Sequence, residues 1–305
     1  MNTTTAVPAA TSTRWGVPLA LAAVYVIWGS TYLAIRFALE GGFPPFLLGG
    51  IRFIIAGSIL FALLRLRGVA APTLPQWRNA AVMGLLLLVL GNGLVNFAEK
   101  SVSSGITAVA VASAPMWFGI FASLRGERPS ALEWLGIAIG FLGVLWLNAG
   151  AAHDASMVGL IALVIAAISW SFGSVWSRGR DLASPFMTAA AQMLCGGVAM
   201  LAIGLVSGER LHALPSAGGL AAFAYLVVFG SLLGFSAYIW LLHHVRPALA
   251  GSYAYVNPVI AVVLGAWLAH ERFTVSEFGA MAVIVAGVVV ISVGKLRKQV
   301  PEKRA

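Results

Sequence analysis

Residues 16–38 read GVPLALAAVYVIWGSTYLAIRFA, an apolar run that carries no charge before Arg36. At about 1.5 Å of rise per residue, a helix of this length crosses the roughly 30 Å hydrocarbon layer of a bilayer. Nine further stretches of similar character follow at about 44–66, 76–98, 103–124, 130–149, 157–177, 185–207, 218–242, 249–269 and 275–294. They are continuous rather than alternating, so they predict helices and not barrel strands, the only other way to satisfy backbone polar groups in lipid. Hydrophobic residues make up 60% of the 305-residue chain, charged residues 10%, and mean hydropathy is +0.93. Those values exclude a water-soluble domain of this length.

The opening stretch has a partner. An offset of 142 residues lays Trp28 on Trp170 and Arg36 on Arg178. At 143 Pro115 falls on Pro258, and at 144 Glu127-Arg128 falls on Glu271-Arg272, Glu133 on Glu277 and Gly143 on Gly287. Such ordered self-similarity marks an internal repeat. Five spans per repeat is an odd number, so the second copy must insert upside down. The expected fold is an all-α integral membrane protein with ten transmembrane helices in two inverted five-helix repeats. Its parts are a tail at 1–15, a first repeat at 16–150, a second at 151–295 and a basic tail at 296–305.

Charge agrees with this arrangement. Of the 19 Lys and Arg, 14 fall in alternate loops that include Arg14, Arg65, Arg78, Arg125, Arg180, Arg246 and the final basic cluster. Four, Arg36, Lys100, Arg210 and Arg272, lie on the other side, and Arg52 lies within the second span. The positive-inside rule then places both termini in the cytoplasm of a bacterial-type inner membrane. The net charge of +9 therefore belongs to membrane topology and calls for no nucleic-acid partner. Residues 1–13 lack both a basic residue and an apolar run, so the first span is read as retained rather than as a signal peptide. Cys195 is the only cysteine, which leaves no disulfide and no thiolate metal site, and no cofactor is expected.

A Trp-Gly-Ser-Thr-Tyr stretch at 28–32, Arg52-Phe53, Gly91-Asn92-Gly93, and Ser252-Tyr253-Ala254-Tyr255-Val256-Asn257-Pro258 followed by Glu271 resemble the EamA-type drug/metabolite transporters, most of all the YedA-type exporters. The resemblance covers about residues 16–294. It implies two inverted five-helix halves, a central cavity and export of small organic metabolites.

In such a transporter the binding site is expected near the midplane, between the repeats. Trp28 and Trp170 each lie about a dozen residues into their spans, and their indoles would face one another as stacking surfaces with one N–H each. Thr31 and Tyr32 share the Trp28 face, and Ser174 shares the Trp170 face. Tyr253 and Asn257, and Asn92 and Asn96, are i, i+4 pairs that would line a wet cavity or hold helices together. Tyr238 in the eighth span is a further candidate. Pro115 and Pro258 free the carbonyls of Val111 and Ala254, either for a solute or simply as kinks. Arg52 either holds a substrate carboxylate or locks its span by binding helix-end carbonyls or Glu40.

No Asp, Glu or His occupies the middle of a span, so Glu99 at the end of the third is the nearest candidate for ion coupling. Small residues four apart, Gly136 with Gly140, Ala108 with Ala112 and Ala282 with Ala286, predict close helix packing. Ten helices in one chain offer enough interfaces for a monomer.

Rival functions fare poorly. An intramembrane protease needs a nucleophile with a base in reach, yet all five histidines (153, 212, 243, 244 and 270) sit in loops or at span ends. A channel would want a ring of like charges or carbonyls. Carriers of phosphorylated sugars need several basic residues in the cavity, and one is present. The expected partners are the lipid bilayer and a small neutral or zwitterionic solute such as an amino acid.

Overall fold

The computed structural model describes residues 13–102, 107, 110–147, 156–269 and 275–299, and every regular element among the described residues is helical. Helices α1 (Thr13–Glu40) and α2 (Pro45–Leu66) lead into a composite rod. In it α3 (Leu74–Met83), a π-helical segment (Gly84–Gly93) and α4 (Leu94–Ala98) are continuous. Then come α5 (Ala114–Leu124), α6 (Ala131–Leu147), α7 (Met157–Trp176) and α8 (Pro185–Val206). A second composite rod joins α9 (Ala217–Tyr225), a π-helical segment (Leu226–Phe235) and α10 (Ser236–His244). It is followed by α11 (Pro247–Ala250), α12 (Tyr253–Ala269) and α13 (Val275–Gln299).

Six rods are long and apolar enough to cross a membrane: Gly16–Glu40, Pro45–Leu66, Leu74–Ala98, Met157–Trp176, Pro185–Val206 and Ala217–His244. Their outward faces, and those of α6 and α13, carry large apolar side chains such as Leu63, Leu135, Val198 and Val289, as a lipid-facing surface requires. The other expected stretches fall on α5, α6, α12 and α13. Within them, residues 103–106, 108, 109 and 270–274 lie outside the described residues, and with them Ala108, His270 and the Glu271-Arg272 pair. So do His153, the side chain of Glu277, residues 1–12 and residues 300–305 of the two tails.

Local sequence explains the helix limits. Both α2 and α8 start on a proline, whose missing N–H is no loss in a first turn. Each ends just before a left-handed glycine, Gly68 at φ 77° and Gly208 at φ 84°, which stops the helix without a Cβ clash. Thr73 and Gln76 form a capping box on α3. Pro115, expected as a mid-helix kink, instead stands in the first turn of α5 beyond a turn at Ala112 and Ser113. Pro258 does lie inside α12, which begins after a turn at Gly251 and Ser252.

The two π-helical segments begin at Gly84 and Leu226 and end at Gly93 and Phe235, so both ends are displaced by 142 residues. That is the offset between Trp28 and Trp170. Packing has the same exchange built in. Helix α1 packs on α12 as α7 packs on α5, the first π segment lies on α7 and α8, and the second lies on α1 and α2. The pairs α2 with α8 and α6 with α13 are each unchanged by the exchange. Between α6 and α13 the backbones touch: a Cβ on Gly287 would stand 2.5 Å from the Gly140 nitrogen, and Gly136 meets the Gly287 carbonyl. The Gly136 and Gly140 face is thus a packing face. Ala282 and Ala286 are not part of one; both are exposed on the far side of α13.

Candidate functional site

A chamber of about 60 Å³ lies between the halves, lined from α1 by Trp28, Thr31, Tyr32 and Ile35 and from α2 by Arg52. Gly91, Asn92 and Val95 come from the first composite rod, Ala166, Ala167 and Trp170 from α7, and Tyr253 and Asn257 from α12. One side of the wall is aromatic. The Trp28 and Trp170 centroids are 5.4 Å apart with planes at 81°, and Trp28 stands 4.8 Å from Tyr253, again edge to face. Tyr238 closes the cluster at 5.0 Å from Trp28 and 5.2 Å from Trp170.

Glycine decides where the indoles sit. A Cβ on Gly91 would meet Trp170 Cε3 at 2.7 Å, and one on Gly234 would meet Trp28 Nε1 at 2.7 Å. Each tryptophan therefore rests on a π-segment glycine, Gly91 of the first half under Trp170 and Gly234 of the second under Trp28. Trp28 Nε1 donates to the Gly230 carbonyl at 3.2 Å, and Trp170 Nε1 donates to the Tyr238 hydroxyl at 2.9 Å. With both donors engaged inside the protein, the rings offer a solute their faces and edges.

Arg52 is 2% exposed, and no carboxylate among the described residues pairs with it. Its Nε donates to Ser231 Oγ at 2.7 Å, its guanidinium carbon lies 4.8 Å from the Phe53 ring centre, and Nη1 is buried with no hydrogen-bond partner. The lock through Glu40 is absent, since Glu40 binds Arg36 at 2.8 Å. Asn92 and Asn257 also line the chamber, and Oδ1 of each is buried with no hydrogen-bond partner among the described residues. Unmet donors and acceptors of this kind are satisfied by water in a chamber of this size, with room for about two molecules.

Three candidates stand elsewhere. Asn96 faces away from the chamber and donates through Nδ2 to the Pro45 carbonyl at 3.2 Å, tying α4 to the start of α2. Ser174 and Tyr238 lie behind the tryptophans and share a 2.7 Å hydrogen bond, with Ser174 also bonded to the Trp170 carbonyl. They buttress the wall. Pro115 and Pro258 are outside the lining, although Pro258 follows Asn257 directly. Sequence reasoning missed Ser231, the partner of Arg52, and the small residues Gly91, Ala114, Ala166 and Ala167 that leave the space; only the Gly91-Asn92-Gly93 run hinted at them.

Along α1 the lining runs from Trp28 to Ile35 and along α7 from Trp170 back to Ala166, so the chamber lies on the Arg36 side of the aromatic cluster. The Arg178 face is laced across the halves. Arg125 binds the carbonyls of Val175 and Arg178 at 3.0 and 2.9 Å, Arg178 pairs with Glu127 at 3.2 Å and binds the Val245 carbonyl, and Arg246 pairs with Glu133 at 3.0 Å. On the Arg36 face a cavity of about 530 Å³ is bordered by Arg36, Glu40, Glu99, Lys100 and Ser101.

The chain matches the model of the EamA-like transporter family twice, over residues 14–149 and 157–293. It is 46% identical over 277 residues to the uncharacterized inner membrane transporter YedA of Escherichia coli K12, covering 90% of both chains. It is 26% identical to the uncharacterized transporter YvbV of Bacillus subtilis, again over 90% of both, and 24% identical to protein PecM of Dickeya dadantii, over 87% and 88%. A solved structure described only as "Crystal structure of protein" superposes with a TM-score of 0.77 at 22% identity, over 94% of this chain and 100% of that one, a likeness of fold.

Proposed function

We propose that this chain, which belongs to the EamA-like transporter family, is a secondary transporter that exports amino acids or similar amphipathic zwitterions by alternating access. The observation that carries the substrate class is the chamber's unmet polarity. One buried guanidinium with a free Nη1 complements a carboxylate, and two unpartnered amide oxygens, on Asn92 and Asn257, complement an ammonium group. The tryptophan faces suit an apolar or aromatic side chain. Several basic residues would be needed for a phosphorylated solute, and Arg52 is the one basic residue of the wall among the described residues.

Two inverted repeats, at 16–150 and 151–295, account for the 142-residue displacement of the π segments and for packing partners that exchange between halves. Ten spans, with the tails 1–15 and 296–305 and the Arg178 face in the cytoplasm, follow from that reading and from the charge distribution. The laced Arg178 face and the small chamber are then a form closed to the cytoplasm, and rocking of the halves widens the chamber. Purified protein in liposomes should exchange labelled amino acids. Trp28→Ala, Asn257→Ala and Tyr253→Phe should lower the flux while leaving the fold intact, and absence of flux across a broad solute panel would defeat the proposal.

A further inference from the structure

The transport reading leaves one buried acid without a task. Glu99 directly follows α4, one helical turn beyond the chamber residue Val95. Both of its carboxylate oxygens are buried, and neither has a hydrogen-bond partner among the described residues. An ionised carboxylate in such a seat would leave about four acceptor positions unfilled, and taking the charge out of water costs several kcal/mol. The neutral acid is the form this seat accepts. Burial accordingly pushes the Glu99 carboxyl well above the ordinary carboxylate range, against the opposing charge of Arg36.

Glu99 stands between the two cavities, at the wall of one and a helical turn from the other. Toward the Arg36 face, Glu99 borders the 530 Å³ cavity with Arg36, Glu40, Lys100 and Ser101, wide enough for water. Toward the chamber, Val95, one turn before Glu99, and Tyr32 of α1 both belong to the wall. Helix α1 thus presents Tyr32, Arg36 and Glu40, with Arg36 engaged by Glu40. The same loop supplies Lys100. Helix α7, packed here through Gly159 against Val102, brings no charge over residues 157–165. Beyond Lys100 stand Glu209, Arg210 and His212, and Glu209 is bound to the N–H groups of Phe46 and Leu47.

We propose that Glu99 is the proton-binding site of the transporter, taking up a proton from water on the Arg36 face and carrying it inward in exchange for a solute molecule. Glu99 takes its proton from hydronium on the Arg36 face before the seat closes, and when the halves rock to hydrate the chamber from the Arg178 face it gives that proton to water there, leaving a carboxylate and hydronium. A neutral Glu99 permits the closed chamber; an ionised one demands a hydrated, open passage. The inference rests on the transport reading, and its test separates the two.

Vesicles of phosphatidylethanolamine and phosphatidylglycerol holding the full chain are loaded with a labelled amino acid panel, and solute movement and lumenal pH are followed under an imposed pH gradient. With the membrane potential clamped to zero by potassium and valinomycin, one-for-one exchange across one pH unit is expected to build about a tenfold solute gradient in the wild type. Glu99→Gln should hold it near onefold while equilibrium exchange of solute for solute continues. Gradient-driven accumulation by Glu99→Gln at the wild-type level overturns the proposal, as does wild-type exchange indifferent to pH, and both leave the transport reading standing. If the panel shows no exchange at all, the transport reading falls. Infrared titration then decides Glu99: a protonated-carboxyl band persisting above the ordinary range and missing from the variant supports proton binding, and its absence overturns it. Should Glu99→Gln fail to fold, Glu99→Asp keeps the carboxyl one methylene shorter and is expected to shift the pH midpoint of accumulation without abolishing it; an unshifted midpoint counts against the proposal.

Discussion

Replacing Arg52 by methionine separates a binding group from a strut. The thioether keeps most of the stem volume and deletes a buried guanidinium that pairs with no acid among the described residues. Exchanging a buried charge for an apolar side chain of similar size is neutral or stabilising by about 1–4 kcal/mol. Against this, the Ser231 hydroxyl loses its 2.7 Å donor, which costs about 1–3 kcal/mol for a buried group left unsatisfied. The two terms oppose, so Arg52→Met should change unfolding free energy by no more than about 3 kcal/mol. Transport should respond quite differently. Losing one charge-assisted hydrogen bond to a solute carboxylate, about 1.5–3 kcal/mol, lowers its binding roughly 10- to 150-fold. Thermal unfolding followed by tryptophan fluorescence reads the first quantity, and counterflow of labelled amino acids beside their decarboxylated amines reads the second. A variant destabilised by more than about 3 kcal/mol that still exchanges carboxylate solutes at the wild-type rate would refute the assignment, because Arg52 would then be a lock on α2.

Gly91→Ala and Gly234→Ala should each cost about 1–3 kcal/mol of stability and impair exchange, since each new methyl overlaps an indole at 2.7 Å; equal melting curves for both variants and wild type would contradict the seating. Trp170→Phe keeps an aromatic ring but removes the donor to Tyr238, so a loss of about 1 kcal/mol with partial flux is expected, and complete retention of both would show the bond to be idle. Glu99 gives the wild type a pH-dependent stability. Its raised folded pKa makes that contribution complete below about pH 4.3, and it is lost as pH rises through the folded value, whereas Glu99→Gln should lack this component of the slope. Single cysteines at 36 and 178 should react with impermeant reagents from opposite compartments, and labelling of both from one side would overturn the inverted arrangement.

Six membrane-length helices were legible because lipid imposes a length, and the 142-residue offset of Trp28 and Trp170 recurs in the two π-helical segments. The chamber's membership was legible only in part, and the reason lies in helix period. Asn92 falls in a π-helical segment and Asn96 in the α-helical turn after it, so the i, i+4 rule that put them on one face does not hold across the junction. Asn92 turns into the chamber while Asn96 reaches Pro45. Ser174 and Tyr238 were correctly placed on their helices, but which layer of the aromatic cluster meets the solute depends on ring packing between distant segments. The partner of Arg52 was hidden for a similar reason: Ser231 is 179 residues away and carries no charge to advertise it.

The reciprocal seating of the two indoles also constrains how the molecule can move. Each ring belongs to one half and its cradle to the other, so the halves cannot slide apart without lifting both rings at once. Under the proposed rocking motion, widening the passage and dismantling its wall would therefore be one mechanical event, and a solute released by it would leave a surface that no longer exists to recapture it.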